Sequence, residues 1–85
     1  MVRIPTPLRS YTDGAAEVPA VGDTVAEVLD DLDARHPGMA FRVVDEQGRL
    51  RPHMRVFVNR AVETDLGRAL EPTDEVVLMQ ALSGG

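Results

Sequence analysis

Residues 22–38, GDTVAEVLDDLDARHPG, carry the reading on which the rest of the chain depends. Thr24 followed three residues later by Glu27 forms a capping box, which satisfies the orphaned amides of a helix start, and Asp23 is the alternative cap. Val25, Val28, Leu29 and Leu32 recur at i, i+3, i+4 and i+7 and so make a single apolar stripe. Asp30, Asp31 and Asp33 point largely away from it, and Asp31 can pair with Arg35 one turn later. Pro37 and Gly38 stop the helix. A helix with one apolar stripe must bury it, and a single sheet is the economical surface for doing so.

The strands to build that sheet are sought on either side. VRIPTPL, 2–8, alternates Val2, Ile4, Thr6 and Leu8 against Arg3, Pro5, Pro7 and Arg9, which predicts a half-buried strand. Pro5 and Pro7 lie two apart, so their missing donors weaken only one edge. A turn at Asp13 and Gly14 lets AAEVPAV, 15–21, return antiparallel, with Gly22 ending it. Residues 39–53 are compatible with a short helical or an irregular piece, followed by a turn at Gly48. HMRVFVNRAV, 53–62, is a strand with Met54, Val56 and Val58 on one face and Arg55, Phe57 and Asn59 on the other, closed by a turn at Asn59 and Arg60. TDLGRALEPTDE, 64–75, reads as a loop in which Leu66 and Leu70 plug the core. EVVLMQAL, 75–82, is a strand that turns Val76 and Leu78 inward and runs directly into Ser83, Gly84 and Gly85. If Val56, Val58, Val76 and Leu78 face the helix, Phe57, Val77 and Met79 form an apolar group on the opposite sheet face, which reads either as a docking patch beside the tail or, at Phe57, as a side chain covered by a loop of the chain itself.

The chain has 85 residues, 44% of them apolar and 27% charged, a composition that suits one small globular domain. Nothing approaches the apolar run of about 20 residues that spans a bilayer, and MVRIPTPLRS lacks the apolar core of a signal peptide, so a cytoplasmic protein is expected. The net charge of −5 argues against nucleic acid as a partner. Cysteine is absent, which removes disulfides, thiol nucleophiles and thiolate metal sites. Every cationic side chain is arginine, so the chain offers no lysine as an acceptor for isopeptide bonds.

Within the body of the domain the residues for catalysis are few. His36 sits in the last helical turn, where an imidazole favours the helix C-terminal dipole. His53 has no Cys, Asp or His at ligand spacing, so no metal is expected. The aspartate run lies on a helix rather than a calcium loop and reads as a solvated face. Ser10 and Ser83 have no base nearby in sequence, and there is no phosphate loop or dinucleotide fingerprint. An enzyme is not indicated. Attention therefore moves to the terminal glycines, which read either as a frayed end or as a chain end without side chains that can thread a narrow slot. An extended segment from Gln80 to Gly85 reaches about 20 Å, enough to enter a partner's cleft.

The stretches GDTVAEVLDDLDARHPG, VFVNRAV and TDEVVLMQALSGG resemble the ubiquitin-like sulfur carriers of the MoaD/ThiS family, most of all the CysO-like branch. The resemblance implies an α+β fold of β-grasp type. Its mixed four- to five-strand sheet would carry one main helix on one face (residues 1–80), followed by a flexible tail (residues 81–85). It further implies that an E1-like adenylyltransferase (MoeB/ThiF/MoeZ-like) uses ATP and magnesium to activate the Gly85 carboxylate, while Ala81, Leu82, Ser83 and Gly84 thread the partner's active site. A rhodanese-like or cysteine desulfurase partner would then supply sulfur, giving a thiocarboxylate for an accepting synthase that makes cysteine, molybdopterin, thiazole or a thiolated secondary metabolite. The chain itself would bind no cofactor. The same adenylate also serves a ubiquitin-like modifier joined to lysine through Gly85, and a non-catalytic interaction module is the third reading.

Overall fold

A computed structural model describes residues 1–81; Leu82, Ser83, Gly84 and Gly85 lie outside the described residues. Its strands are β1 (Val2–Arg3), β2 (Glu17–Val18), β3 (Met54–Val58), β4 (Ala61–Glu63) and β5 (Val76–Gln80). They form one mixed sheet in the order β2-β1-β5-β3-β4. β5 is central, parallel to β1 and antiparallel to β3, while the β1–β2 and β3–β4 pairs are antiparallel. The helix α1 (Val25–Arg35) and the shorter α2 (Met39–Val43) complete the fold.

α1 follows the periodicity of its sequence. Val25, Val28, Leu29 and Leu32 are all buried, and they share one core with Val2, Met54, Val56, Val58, Val76 and Leu78 from the inner sheet face. At the N-terminus the Thr24 hydroxyl accepts from the Glu27 amide at 3.2 Å. The Glu27 carboxylate accepts from the Asp23 amide at 3.1 Å, one residue earlier than in the standard capping box. His36 follows the last turn and closes it with its backbone N–H donating to the Leu32 carbonyl.

The aspartate run is only partly a solvated face. Asp31 accepts from the Val21 amide at 2.9 Å and from Arg35 at 2.8 Å, tying the incoming loop to the helix. Asp33 accepts from the amides of Gly38 and Ala40, both at 3.1 Å, and so anchors the entry into α2. Gly38 itself has φ +96°, a conformation that lets the chain reverse between the helices.

The strand expected over residues 2–8 stops at Arg3, and a 3-10 helix covers Thr6–Thr12. Two features explain the difference. Proline fixes φ near the value that begins a helical turn, and neither Pro5 nor Pro7 can donate to a ladder. The Leu8 amide instead donates to the Pro5 carbonyl at 2.9 Å. The apolar pattern survives the change: Val2, Ile4 and Leu8 are buried, and only Thr6 turns to solvent. The return strand is correspondingly short, reduced to Glu17–Val18.

At the end of β5 remote from the tail, Asn59 and Arg60 form the two-residue turn between β3 and β4 with φ of 50° and 72°. The Asn59 side chain donates to Asp74 at 2.8 Å and accepts from the Glu75 amide at 2.9 Å, and Asp74 also accepts from the Glu71 amide at 2.9 Å. The Glu71 amide, followed by the Asn59 side chain, holds the Asp74 carboxyl below its ordinary pKa. Asp31 is lowered in the same way, first by the Val21 amide, and Asp45 first by the Arg49 amide. A depressed folded-state pKa gives stability that is present above the unfolded value and lost as pH falls through the folded one. The melting temperature is therefore expected to fall as pH drops below about 4, where free carboxylates titrate. Asp74→Asn is expected to melt lower at pH 7 and to show a shallower acid limb in a series of melts against pH.

Candidate functional site

Because β5 is the central strand, whatever follows Gln80 leaves from the middle of one end of the sheet. The last described anchor is the Ala81 amide, which donates to the His53 carbonyl at 2.7 Å. Alternation about that bond directs the backbone groups of Val77, Met79 and Ala81 toward β3, and those of Leu78 and Gln80 toward β1. Yet β1 pairs with β5 only at Val2↔Val76 and Arg3↔Val77. Opposite Leu78–Gln80 the strand has given way to the 3-10 helix, whose leading prolines have no amide to offer.

The sheet face away from α1 carries a continuous rung, Arg3–Val77–Phe57–Val62, with Arg55 and Met79 paired on the next. Phe57 and Val77 are half-buried, whereas Met79 is 49% and Val62 57% exposed. The structure thus brings the three residues singled out in the sequence, Phe57, Val77 and Met79, onto one face at the root of the tail. Leu82, Ser83, Gly84 and Gly85 lie outside the described residues, and Ala81 is half-buried where it meets β3.

Sequence reading had not included Val62 in the patch. A two-residue turn fixes the register Val58↔Ala61, and so places Val62 beside Phe57; counting through Asn59 and Arg60 would have found it. The groove beside this face was also missed. Pro5, Thr6, Pro7 and Arg9 form one wall, and Val77, Met79 and Gln80 the other. It measures about 370 Å³, and Ile4 and Leu78 also line it.

The charges around the tail root are cationic. The Arg9 Nε donates to the Ile4 carbonyl at 3.0 Å. The Arg55 guanidinium donates to the carbonyls of Pro52 at 2.7 Å and Met54 at 2.9 Å. Arg3 lies 3.6 Å from Glu17 with both side chains more than half exposed. Among the described residues Arg9 and Arg55 have no carboxylate partner, whereas Arg35 and Arg68 are paired with Asp31 and Glu63. No group of His, Cys, Asp or Glu among the described residues is arranged to hold a metal ion. Nor is any described helix long and apolar enough to cross a membrane.

Comparison with known proteins gives a consistent placement. The ThiS family model matches residues 2–85. The sulfur carrier protein CysO of Mycobacterium tuberculosis is 35% identical over 89 residues, covering 99% of this chain and 96% of its own. The Amycolatopsis orientalis BexX/CysO complex contains a chain that superposes with a TM-score of 0.90 at 36% identity, covering 99% of this chain and 97% of that one. Small archaeal modifier protein 1 of Haloferax volcanii is 37% identical over 62 residues, 73% of this chain and 70% of its own. The central β5, the helix packed across one face of a five-strand mixed sheet and this near full-length likeness agree: the chain belongs to the ThiS family of ubiquitin-like β-grasp proteins, among the relatives of the sulfur carriers.

Proposed function

We propose that this protein is a sulfur carrier whose working group is the Gly85 carboxylate. The observation that carries the reading is that the family match runs through Gly85, in a fold whose central strand ends where the tail begins. A carboxylate is a poor electrophile, and activation overcomes this. In an E1-like adenylyltransferase the Gly85 carboxylate attacks the α-phosphorus of magnesium-bound ATP, and pyrophosphate leaves. The terminal sulfur of a persulfide, held by a rhodanese-like or cysteine desulfurase partner, then displaces AMP from the acyl carbon. Cleavage of the remaining S–S bond by a thiol leaves the thiocarboxylate. An accepting synthase takes its sulfur and returns the carboxylate for another round.

The chain is thus a protein co-substrate in the cytoplasm rather than an enzyme. ATP and magnesium belong to its partner. Beyond the Ala81 anchor, Leu82, Ser83 and Gly84 thread the partner's slot, and Phe57, Val77 and Met79 dock against its surface, where apolar side chains surrounded by polar ones commonly anchor an interface. The likeness to a small archaeal modifier supports a second reading, conjugation through Gly85 to a lysine of another protein. Since this chain has no lysine, it cannot be the acceptor through a side chain. Intact mass of the chain, co-expressed with the activating enzyme and sulfur source of its own genome, separates the readings. Exchange of one oxygen for sulfur is the expected result. A covalent protein adduct selects the modifier, and an unaltered mass overturns both.

A further inference from the structure

We propose that the groove between the 3-10 helix and β5 receives an acidic, apolar-tipped loop of the enzyme that activates the tail. The inference rests on the carrier reading above and adds the chemistry of the partner surface. Three features of this groove lead to it. The two prolines that end β1 open a concave strip beside the central strand, about 370 Å³ in volume, with Pro5, Pro7, Val77 and Met79 as its apolar walls. That strip is continuous with the root of the tail, so a protein that draws the tail into its cleft passes directly over it. Its surroundings are cationic in a chain of net charge −5: Arg9 lines it, and Arg55 stands beside Met79 across the β3–β5 pair.

The arginines identify the occupant more narrowly than the apolar walls do. Arg9 is held in place by its Nε bond to the Ile4 carbonyl, and Arg55 by its bonds to the Pro52 and Met54 carbonyls. Each leaves guanidinium N–H groups over, and among the described residues neither meets a carboxylate. Pre-positioned guanidinium groups match carboxylates in forked geometry. An apolar side chain entering between Pro7 and Met79, flanked by Asp or Glu, fills the strip and pairs both charges. Electrostatic complementarity of this kind raises the rate of encounter and fixes the register of docking. Register matters here, because a set number of residues separates the docked sheet from the carboxylate to be activated.

The test uses the full chain as substrate in pyrophosphate release by the activating enzyme of the same genome, with melting temperature measured in parallel. Arg9→Glu, Arg55→Glu and Thr6→Trp reverse the two charges and obstruct the groove. Each is expected to raise KM for the carrier about tenfold with kcat unchanged. Arg60→Glu, the same charge change at the far end of β3, is expected to leave KM within about twofold. KM of the parent should rise with salt, and less so for the two charge-reversed variants. Arg55 bonds only to carbonyls of its own segment and Thr6 is exposed, so those two variants remain informative if Arg9→Glu melts low. Unchanged KM for both Arg55→Glu and Thr6→Trp, with the parent turned over normally, overturns the groove alone. No turnover of the parent overturns the carrier reading, and the groove with it.

Discussion

Deletion of Gly85 is expected to abolish adenylation while leaving the melting temperature within about 1 °C of the parent. The first half of that expectation follows from reach. Removing one extended residue sets the terminal carboxylate back by about 3.3 Å. A displacement of about 1 Å already costs roughly a hundredfold when reacting atoms must be held in line. The tail cannot recover the distance by sliding deeper if the sheet face, with Phe57, Val77 and Met79, is seated against the enzyme. The second half follows from packing. The buried core of β5 ends at Leu78, and the last described backbone anchor is at Ala81. A chain that docks but cannot react should be a competitive inhibitor of the parent, with an inhibition constant close to the parent's KM. Pyrophosphate release measured with the parent, the truncated chain and mixtures of the two gives all three quantities. Normal turnover of the truncated chain would sink the assignment of Gly85.

The parts of this fold that were legible in the sequence are those in which one local pattern and one tertiary demand coincide. The α1 stripe and the alternation of Met54, Val56 and Val58 each specify which side is buried, and all of those residues are buried. Residues 2–8 show the limit. Alternation placed Val2, Ile4 and Leu8 in the core correctly, but several backbone paths can bury the same three side chains, and Pro5 with Pro7 favours the helical one. At the entry to residues 39–53 the decisive contacts are the two hydrogen bonds that the Gly38 and Ala40 amides donate to Asp33, across a chain reversal that propensity does not register. Charge pairing divides in the same way. Asp31 with Arg35 is readable because helical spacing brings the two together. That Arg9 and Arg55 stand near the same strand, with no carboxylate partner among the described residues, is a property of the sheet order β1-β5-β3, and no short sequence window contains it.

Gly22→Ala is expected to be among the most destabilising single substitutions in the chain, costing about 3 kcal/mol. A Cβ at Gly22 would lie 2.6 Å from the Val28 amide nitrogen, 2.7 Å from the Glu27 carbonyl carbon and 2.8 Å from the Glu27 Cβ. Backbone of the first helical turn cannot rotate aside as a flexible side chain can. The incoming segment must therefore lift away from α1, and several bonds are lost together. These are Val21 to Asp31 at 2.9 Å, Asp23 to Glu27 at 3.1 Å, and the Leu70 amide to the Asp23 carbonyl at 2.8 Å. Val28, whose amide the added Cβ would meet, is itself buried in the core. Gly14→Ala provides the contrast. Nothing lies within 4 Å of its added Cβ, so only the left-handed backbone at φ +86° is penalised, at about 1 kcal/mol. For a domain of this size the two costs correspond to melting shifts of roughly 12–24 °C and 4–8 °C. Gly22 lies with Val76 at the end of β5 opposite the tail root. Below its lowered melting temperature Gly22→Ala should therefore still be adenylated with an unchanged KM. Equal melting shifts for the two alanine variants would show that Gly22 does not sit against the helix. A raised KM for folded Gly22→Ala would show that its end of the sheet also takes part in docking.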